Sequence, residues 1–365
     1  MKIKTKLLLT PSDIKPTFPN WKVEGVFNPA AIRLPNKKIM LFARVAERVI
    51  PKGEDHDIYP MVISPDDYYV KYGKISVGKI IDRGRRVIYL NGGICRLTTI
   101  SHLRRVFLSE DGFSVEKIED IPAFTGMAGD GEFGVEDPRM VKIGNKYLMS
   151  YTIVNLKEGV CTSLAISKDL KKWERKGIIF RQQNKDVVLF PEKINGEYVA
   201  LHRPEGTIEF SKKSIWISHS PDLIHWGREK SIMLSRPGSW GDAWIGSAAP
   251  PIKTKKGWLL FYHGVKTLGK KKLYSVGAAL LNLKNPEKVI ARTSPWTPLI
   301  KPTEKYEKKG FIDGVVFPTG AVPDLDGKHV LIFSGGADSV TTVKKLNIKE
   351  ILDGLEYVEN ENKSI

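Results

Sequence analysis

SKDLKKWERKG, residues 167–177, and SPDLIHWGREK, residues 220–230, are two copies of one unit: Ser-x-Asp, an apolar residue, then Trp and a basic stretch. Each follows a short run of strand composition, LAI in one case and IWI in the other. Weaker copies are SEDGFSVEKI from Ser109 and SPDDYYVKYG from Ser64, so the starts lie 45, 58 and 53 residues apart along the chain. A Ser-x-Asp turn with a Trp packed behind it is a device for joining strands. A spacing of about 45–60 residues suits one four-stranded blade with its loops. Four copies and a further unit in 255–345 predict an all-β, five-bladed β-propeller, with Trp173 and Trp226 as packing residues rather than ligand platforms. A pair of β-sandwiches would carry similar turns but has no reason for the regular spacing.

The rest of the chain reads the same way. Apolar residues come in short runs such as IMLFARV, YLMSYTIV, YVALHRP, WLLFYHGV and HVLIFSGG, rich in β-branched and aromatic residues, with no long helical period. Between them, IGNKY (143–147), INGEY (194–198) and LDGKH (325–329) place Asn, Asp and Gly where a hairpin turn needs positive φ. The 365 residues, 41% hydrophobic and 9% aromatic, support one propeller domain over 1–365, with 359–365 polar enough to fray.

Composition also excludes function classes. No apolar run is long enough to span a membrane, and the apolar part of the N-terminus, Leu7 to Leu9, is too short for a signal peptide. Cys95 and Cys161 form neither a metal spacing nor a disulfide framework, so a cytoplasmic location is the default expectation. A net charge of +17 invites a nucleic-acid partner, but the lysines of KKGWLL, GKKKLY and LKKWERKG are spread over loops and accompany no nucleic-acid motif. They read as a solvated surface. No phosphate-binding glycine loop of the Walker type is present either.

Against this background a few residues fit packing poorly. Glu136-Asp137-Pro138-Arg139 puts two carboxylates and an arginine beside an apolar strand, which is costly unless they are paired, and Pro138 fixes the backbone after Asp137. A surface turn with an internal salt bridge is the plain alternative. Arg44 shares a strand face with Met40 and Phe42, while His202-Arg203 and His263 close two other apolar strands. Lys185-Asp186 opens a strand, Asn28 lies in FNPA, and Asp338 ends FSGGAD after small residues that leave room for a ligand. In a propeller such residues converge on the channel mouth, where several cations, two acids and an Asn would suit an anion beside a sugar.

These motifs carry a resemblance. FNPA, the strand ending in FAR, GVEDPR, KDVVLFPEKINGEYVALHRP, the APP–GWLLFYHG segment and FSGGADS occur in the order found in glycoside hydrolase family 130, over roughly residues 25–345. The resemblance implies a five-bladed propeller and inverting phosphorolysis of β-1,2- or β-1,4-mannooligosaccharides to α-mannose 1-phosphate. Inorganic phosphate would be the co-substrate, with no metal or organic cofactor. It implies Asp137 as general acid, acting directly or through a sugar hydroxyl, and Asn28, Arg139 and Asp338 as substrate contacts. Phosphate would be held by Arg44, Lys185, Arg203 and His263, with Tyr262 and His202 as further contacts. Phosphate already carries charge, so no base is needed. Burial near Glu136 should raise the Asp137 pKa so that it can donate a proton. Relatives are often homo-oligomers. A hydrolase of the same family would need a carboxylate base, for which Glu192 and Glu205 are candidates. A non-catalytic carbohydrate-binding propeller and a furanosidase-like propeller with three channel carboxylates are the other readings.

Overall fold

Strand-forming runs separated by tight turns leave the chain little choice but antiparallel pairing with its sequence neighbours, and five sheets follow one another along it. The computed structural model describes residues 2–50, 56–64, 69–206 and 210–358. The first sheet joins Trp21–Arg33, Ile39–Val49, Ile100–Leu108 and Val115–Ile118. The second runs through Val135–Ile143, Lys146–Asn155, Gly159–Ser167 and Glu174–Phe180, and the third through Asn184–Leu189, Tyr198–Pro204, Ile215–Ser220 and Gly227–Met233. The fourth contains Trp244–Ser247, Trp258–Leu268, Lys271–Leu281 and Val289–Arg292. Val316–Pro323, His329–Gly336 and Val340–Asn347 form the fifth, whose outer edge is completed by Lys4–Leu9 from the other end of the chain.

The expected hairpin chemistry is present. Asn195 and Gly196 have φ of 51° and 86°, Gly144 has 59° and Gly327 has 66°. Because alternate residues face opposite sides of a strand, both faces of the central strands are apolar, and each sheet packs against the next through its own cluster. Phe42 and Leu103 of the first sheet meet Met149 and Tyr151 of the second. Leu148 and Leu164 meet Val187 and Ala200 of the third, and Leu201 and Ile217 meet Trp258 and Leu260 of the fourth. Phe261 and Ala278 meet Val330 and Ile332 of the fifth, whose Leu331 and Phe333 return to Val26 and Leu41 of the first. The first strands of the sheets also touch: 21–33 lies against 135–143 and 316–323, and 184–189 lies against 135–143 and 244–247.

Those first strands are interrupted where they touch. Register shifts fall between Phe27 and Ala30, Glu136 and Arg139, and Lys185 and Val188, and at each bulge the leading residue is left-handed: Asn28 (φ 47°), Asp137 (48°) and Asp186 (59°). Asn and Asp tolerate this conformation better than other non-glycine residues, and a bulge re-aims a side chain out of the ladder. FNPA is therefore a bulge within a strand rather than a turn, and Pro29 and Pro138 cost no ladder bond at that position.

The Ser-x-Asp units are turns between the third and fourth strands of the first three sheets. Ser167 Oγ accepts from the Leu170 amide at 2.8 Å, and Ser220 Oγ accepts from the Leu223 amide at 2.8 Å. Trp173 packs edge-on against Phe42, and Trp226 lies tilted against Phe180, as packing residues should. The unit is not repeated once per sheet. The turn after Ser64 lies outside the described residues, and its flanking strands, His56–Ser64 and Tyr69–Ser76, belong to an excursion between the second and third strands of the first sheet. That excursion continues into a small sheet of Ile80–Arg83, Val87–Leu90 and Cys95–Leu97. In the fourth sheet an Asn takes the turn's place, Asn282 Oδ1 accepting from the Lys284 and Asn285 amides. The segment 359–365 lies outside the described residues, and among the described residues no helix is long and apolar enough to cross a membrane.

Leu9, fully buried on the N-terminal strand, joins the cluster between the fifth and first sheets. Leu9→Ala should cost about 2–5 kcal/mol of stability, read as a lower urea midpoint at unchanged slope.

Candidate active site

Where the first strands meet, Asn28, Asp137 and Asp186 project from their bulges toward a cavity of about 370 Å3, which Arg44, Lys185, Arg203, His263 and Asp338 also line. Seven of the ten residues expected from the sequence to serve catalysis or binding therefore share one pocket, drawn from five sheets.

Two carboxylate hubs organise it. Asp137 Oδ1 accepts from Asn28 Nδ2 at 2.8 Å and from Arg44 Nη1 at 2.8 Å. The other end of the Arg44 guanidinium donates to Glu136 Oε1 at 2.8 Å, and its Nε donates to Ser101 Oγ at 3.0 Å. Arg86, from the excursion, pairs with the second Glu136 oxygen. The other hub is Asp186, 1% exposed, which accepts from Arg139 Nη2 at 3.1 Å and Arg203 Nε at 2.6 Å, with His263 Nε2 3.7 Å from Oδ2. Arg203 also pairs with Glu205, which meets Lys213 Nζ at 3.1 Å. Arg44, Glu136, Asp137, Arg139, Asp186 and Arg203 are buried in low dielectric, so each is stable there only beside its partner.

The electrostatic consequences run against one expectation. Burial pushes the Asp137 pKa up, but Arg44, Arg139 and Lys185 together with the Asn28 hydrogen bond outweigh it and hold the group down to about 2. Glu136, buried but facing Arg44 and Arg86, is also lowered, so it remains an anion with no proton to share. The raised pKa anticipated for Asp137 is thus corrected: the cations around it lower the carboxyl despite its burial. Asp338 is the carboxyl that is raised, by burial first and then by Asp137 and Glu136 against the opposing effect of Arg86 and Arg44. Burial lowers His263 to about 3, so it serves as a neutral imidazole and not as a cation.

Three other residues sit elsewhere than expected. In the strand Tyr198–Pro204, Arg203 faces the pocket, and alternation turns His202 away: its Nδ1 meets Asn184 and its ring stacks on Phe180 at 4.6 Å. Tyr262, beside His263, likewise points into the cluster between the third and fourth sheets and stacks on Trp240. Neither can reach a phosphate in the pocket. Arg139 lies behind the wall, with Nε donating to the Ala248 carbonyl at 2.9 Å and Nη1 to the Asp137 carbonyl at 3.0 Å, so it braces both hubs instead of meeting a sugar. Arg44 does line the pocket, but its donors are taken up by Glu136, Asp137 and Ser101.

Sequence reasoning missed several lining residues: Arg86, Lys213, Trp244, Lys272, Tyr274, Ile312, Val315 and Phe317. Lys272 belongs to GKKKLY, read as solvated surface; it lies 4.8 Å from the centre of the Trp244 ring and lines the pocket. Six lining side chains are full cations and four are carboxylates, so positive charge prevails, and Lys185 is close enough to shift Asp137, Asp186, Glu205 and His263 together. Glu192, one candidate base, is on the surface against Lys253 at 2.5 Å; Glu205, the other, is in the pocket. Such a site, with a carboxyl facing a surplus of cations in a channel of polar and aromatic side chains, defines a carbohydrate-active enzyme that handles an anion.

Comparison with known proteins narrows the class. Residues 109–357 match the family profile described as beta-1,4-mannooligosaccharide phosphorylase, glycoside hydrolase family 130. The chain is 36% identical over 359 residues to a beta-1,2-mannobiose phosphorylase of Listeria innocua, covering 96% of each protein. It is 41% identical over 247 residues to a 1,2-beta-oligomannan phosphorylase of a Thermoanaerobacter species, covering 67% of this chain and 78% of the other. A solved structure of the Listeria innocua beta-1,2-mannobiose phosphorylase in complex with beta-1,2-mannobiose superposes with a TM-score of 0.88, at 33% identity, over 97% of this chain and 99% of that one. The chain belongs to glycoside hydrolase family 130.

Asp186 compensates Arg139 and Arg203 at once, so Asp186→Ala should strip buried Arg139 of its carboxylate partner, leave Arg203 to Glu205 alone, and cost about 3–5 kcal/mol, read as a fall in Tm. Gly246 carries a second test. A Cβ there would stand 2.5 Å from Asp186 Oδ2 and 2.5 Å from His263 Cε1, so Gly246→Ala should displace both side chains and lower Tm.

Proposed function

We propose that this chain cleaves β-1,2-linked mannosides by inverting phosphorolysis, releasing α-mannose 1-phosphate, in a pocket at the centre of a five-bladed propeller. The propeller reading is supported by the succession of five sheets whose fifth packs back on the first. The linkage is favoured by the Listeria innocua phosphorylase, named for β-1,2-mannobiose and matched over nearly the whole of both chains.

One observation carries the chemistry: an Asp on a bulge at the meeting point of the strands faces Lys185 and Arg203 across a single small cavity. Asp137 is the general acid. Asn28 and Asp338 hold the mannosyl ring, and Lys185 and Arg203, with neutral His263 as a hydrogen-bonding neighbour, bind phosphate against the anomeric carbon. Lys213 and Lys272 extend the cationic wall. Arg44 and Arg139 set the Asp137 carboxylate and its backbone in place. Inorganic phosphate is the co-substrate and no cofactor takes part. A hydrolytic base has no strong candidate here, because Glu205 is already bound to Arg203 and Lys213.

The depressed pKa of Asp137 then acquires a role. A general acid must carry a proton at the moment of cleavage. A phosphate dianion at Lys185 offsets one of the three cations that hold Asp137 down, and adds a like charge that disfavours its anion. Phosphate therefore favours protonation of its own acid.

Incubation with β-1,2-mannobiose should yield α-mannose 1-phosphate only when phosphate is present, and Asp137→Asn should lower turnover by about 10²–10⁴-fold while still binding the disaccharide. Mannose release that ignores phosphate would sink the reading. Phosphate binding near neutral pH should also take up protons, seen by calorimetry in buffers of different ionisation enthalpy, and Asp137→Asn should lose part of that uptake. The sign follows from the lowered pKa: the group is unprotonated before phosphate arrives and gains a proton after.

A further inference from the structure

Glu307 and Lys344 form a buried ion pair that belongs to neither carboxylate hub and lines no wall of the pocket. Lys344 lies within Val340–Asn347, on the face it shares with Leu346, which packs in the apolar cluster between the fourth and fifth sheets. Glu307 lies in a short helix, Lys305–Lys308, within the loop that leads to Val316–Pro323. One Glu307 oxygen pairs with Lys344 Nζ, and the other accepts from the Thr303 and Glu304 amides at 3.0 and 3.2 Å. Replacing a buried pair by neutral side chains of similar volume is often harmless to stability, so stability alone is a weak reason for its presence. What the pair does fix is depth. Drawing the helix off the sheet would part opposite charges in low dielectric.

The loop in turn grips the strand end that carries Asp338. The Val315 amide donates to the Glu307 carbonyl at 3.0 Å, and the Val315 carbonyl accepts from the Ala337 amide at 3.0 Å. The Ala337 carbonyl accepts from the Ile312 amide at 3.0 Å, and the Phe311 amide donates to Ser339 Oγ at 2.7 Å. The helix also rests close on Gly336, where a Cβ would stand 3.3 Å from the Tyr306 carbonyl oxygen. The first sheet adds one bond, from the Val26 amide to the Ser339 carbonyl at 3.0 Å.

Asp338 depends on this support more than its neighbours do. Asp137 is aimed by bonds from Asn28 and Arg44, and Asp186 by bonds from Arg139 and Arg203. Among the described residues no hydrogen bond holds the Asp338 carboxylate, so its direction follows from the left-handed turn at Ala337 and Asp338. We propose that Glu307 and Lys344 are positioning residues: their ion pair sets the depth of the loop 301–315 and, through Ala337, the place of the Asp338 carboxylate against the mannosyl ring. The inference rests on the phosphorylase reading above, in which Asp338 holds that ring.

Steady-state kinetics with β-1,2-mannobiose and phosphate varied separately tests it. Lys344→Met removes one charge at similar length. The double variant Lys344→Met with Glu307→Gln removes both and keeps an acceptor for the Thr303 and Glu304 amides, so it should fold even if the single variant does not. Each should raise the KM for mannobiose by about tenfold while kcat and the KM for phosphate stay within about twofold, the split expected when only the grip on the ring is loosened. Lys344→Arg, which keeps the charge, should recover most of the loss. A double variant with both KM values unchanged, whatever its Tm, or with both raised alike, would overturn the inference and leave phosphorolysis intact. Asp338→Asn checks the reading beneath it and should raise the mannobiose KM at least as much. An unchanged mannobiose KM in Asp338→Asn, or no α-mannose 1-phosphate from the unmodified enzyme, would overturn that reading and the inference with it.

Discussion

The site depends on compensation between charges that have been taken out of water. Glu136, Asp137 and Asp186 are almost wholly buried, and so are Arg44, Arg139 and Arg203. An isolated charge at any of these places would cost several kcal/mol, yet removing one member of a matched set exposes the others to the same penalty. The arrangement is therefore held as a block. Arg44 ties the first sheet to the second, and Arg139 with Arg203 joins the second and third through Asp186. The same bonds that steady the junction of the sheets also aim the carboxylates.

Backbone geometry makes this possible. A regular strand would send alternate side chains to the two neighbouring sheets and none along the channel. The bulges at Asn28, Asp137 and Asp186 break that alternation, each with a left-handed residue whose short polar side chain suits the conformation. The fifth sheet offers its own version at the strand end, where Ala337 and Asp338 have φ of 48° and 49°. Four of the polar residues that line the pocket thus sit at irregular points of the backbone.

What could be read from the sequence follows from these facts. Short apolar runs and Asn-Gly turns announce antiparallel sheets because both signals are local, and the ordered motifs around Asn28, Asp137, Lys185, Arg203, His263 and Asp338 mark residues that do converge. The repeat was legible only in part. The copy at Ser64 belongs to the excursion, and the fourth sheet uses Asn282 in place of Ser and Asp. Side-chain direction was harder still. His202 and Arg203 are neighbours, yet only one faces the cavity, and which one depends on a bulge register set by pairing with Lys185. The pKa of Asp137 was misjudged for a similar reason: its burial is visible from composition, but the three cations around it come from residues 44, 139 and 185. Lys272 and Arg86 carry no local signal, since a lysine in a basic hairpin looks alike whether its tip meets solvent or substrate.

The strand Lys4–Leu9 bears on how such a chain comes to be folded. Its partner is Val340–Asn347, with Lys4 opposite Lys345. During synthesis the strand Lys4–Leu9 leaves the ribosome long before its partner exists, while the first three sheets can each form from contiguous chain. That strand must wait, half apolar and unpaired, until Val340–Asn347 has emerged. Closure is then a late, long-range event, slow by the loop entropy it has to overcome. The alternating lysines at positions 2, 4 and 6 would keep that waiting strand from pairing with another chain.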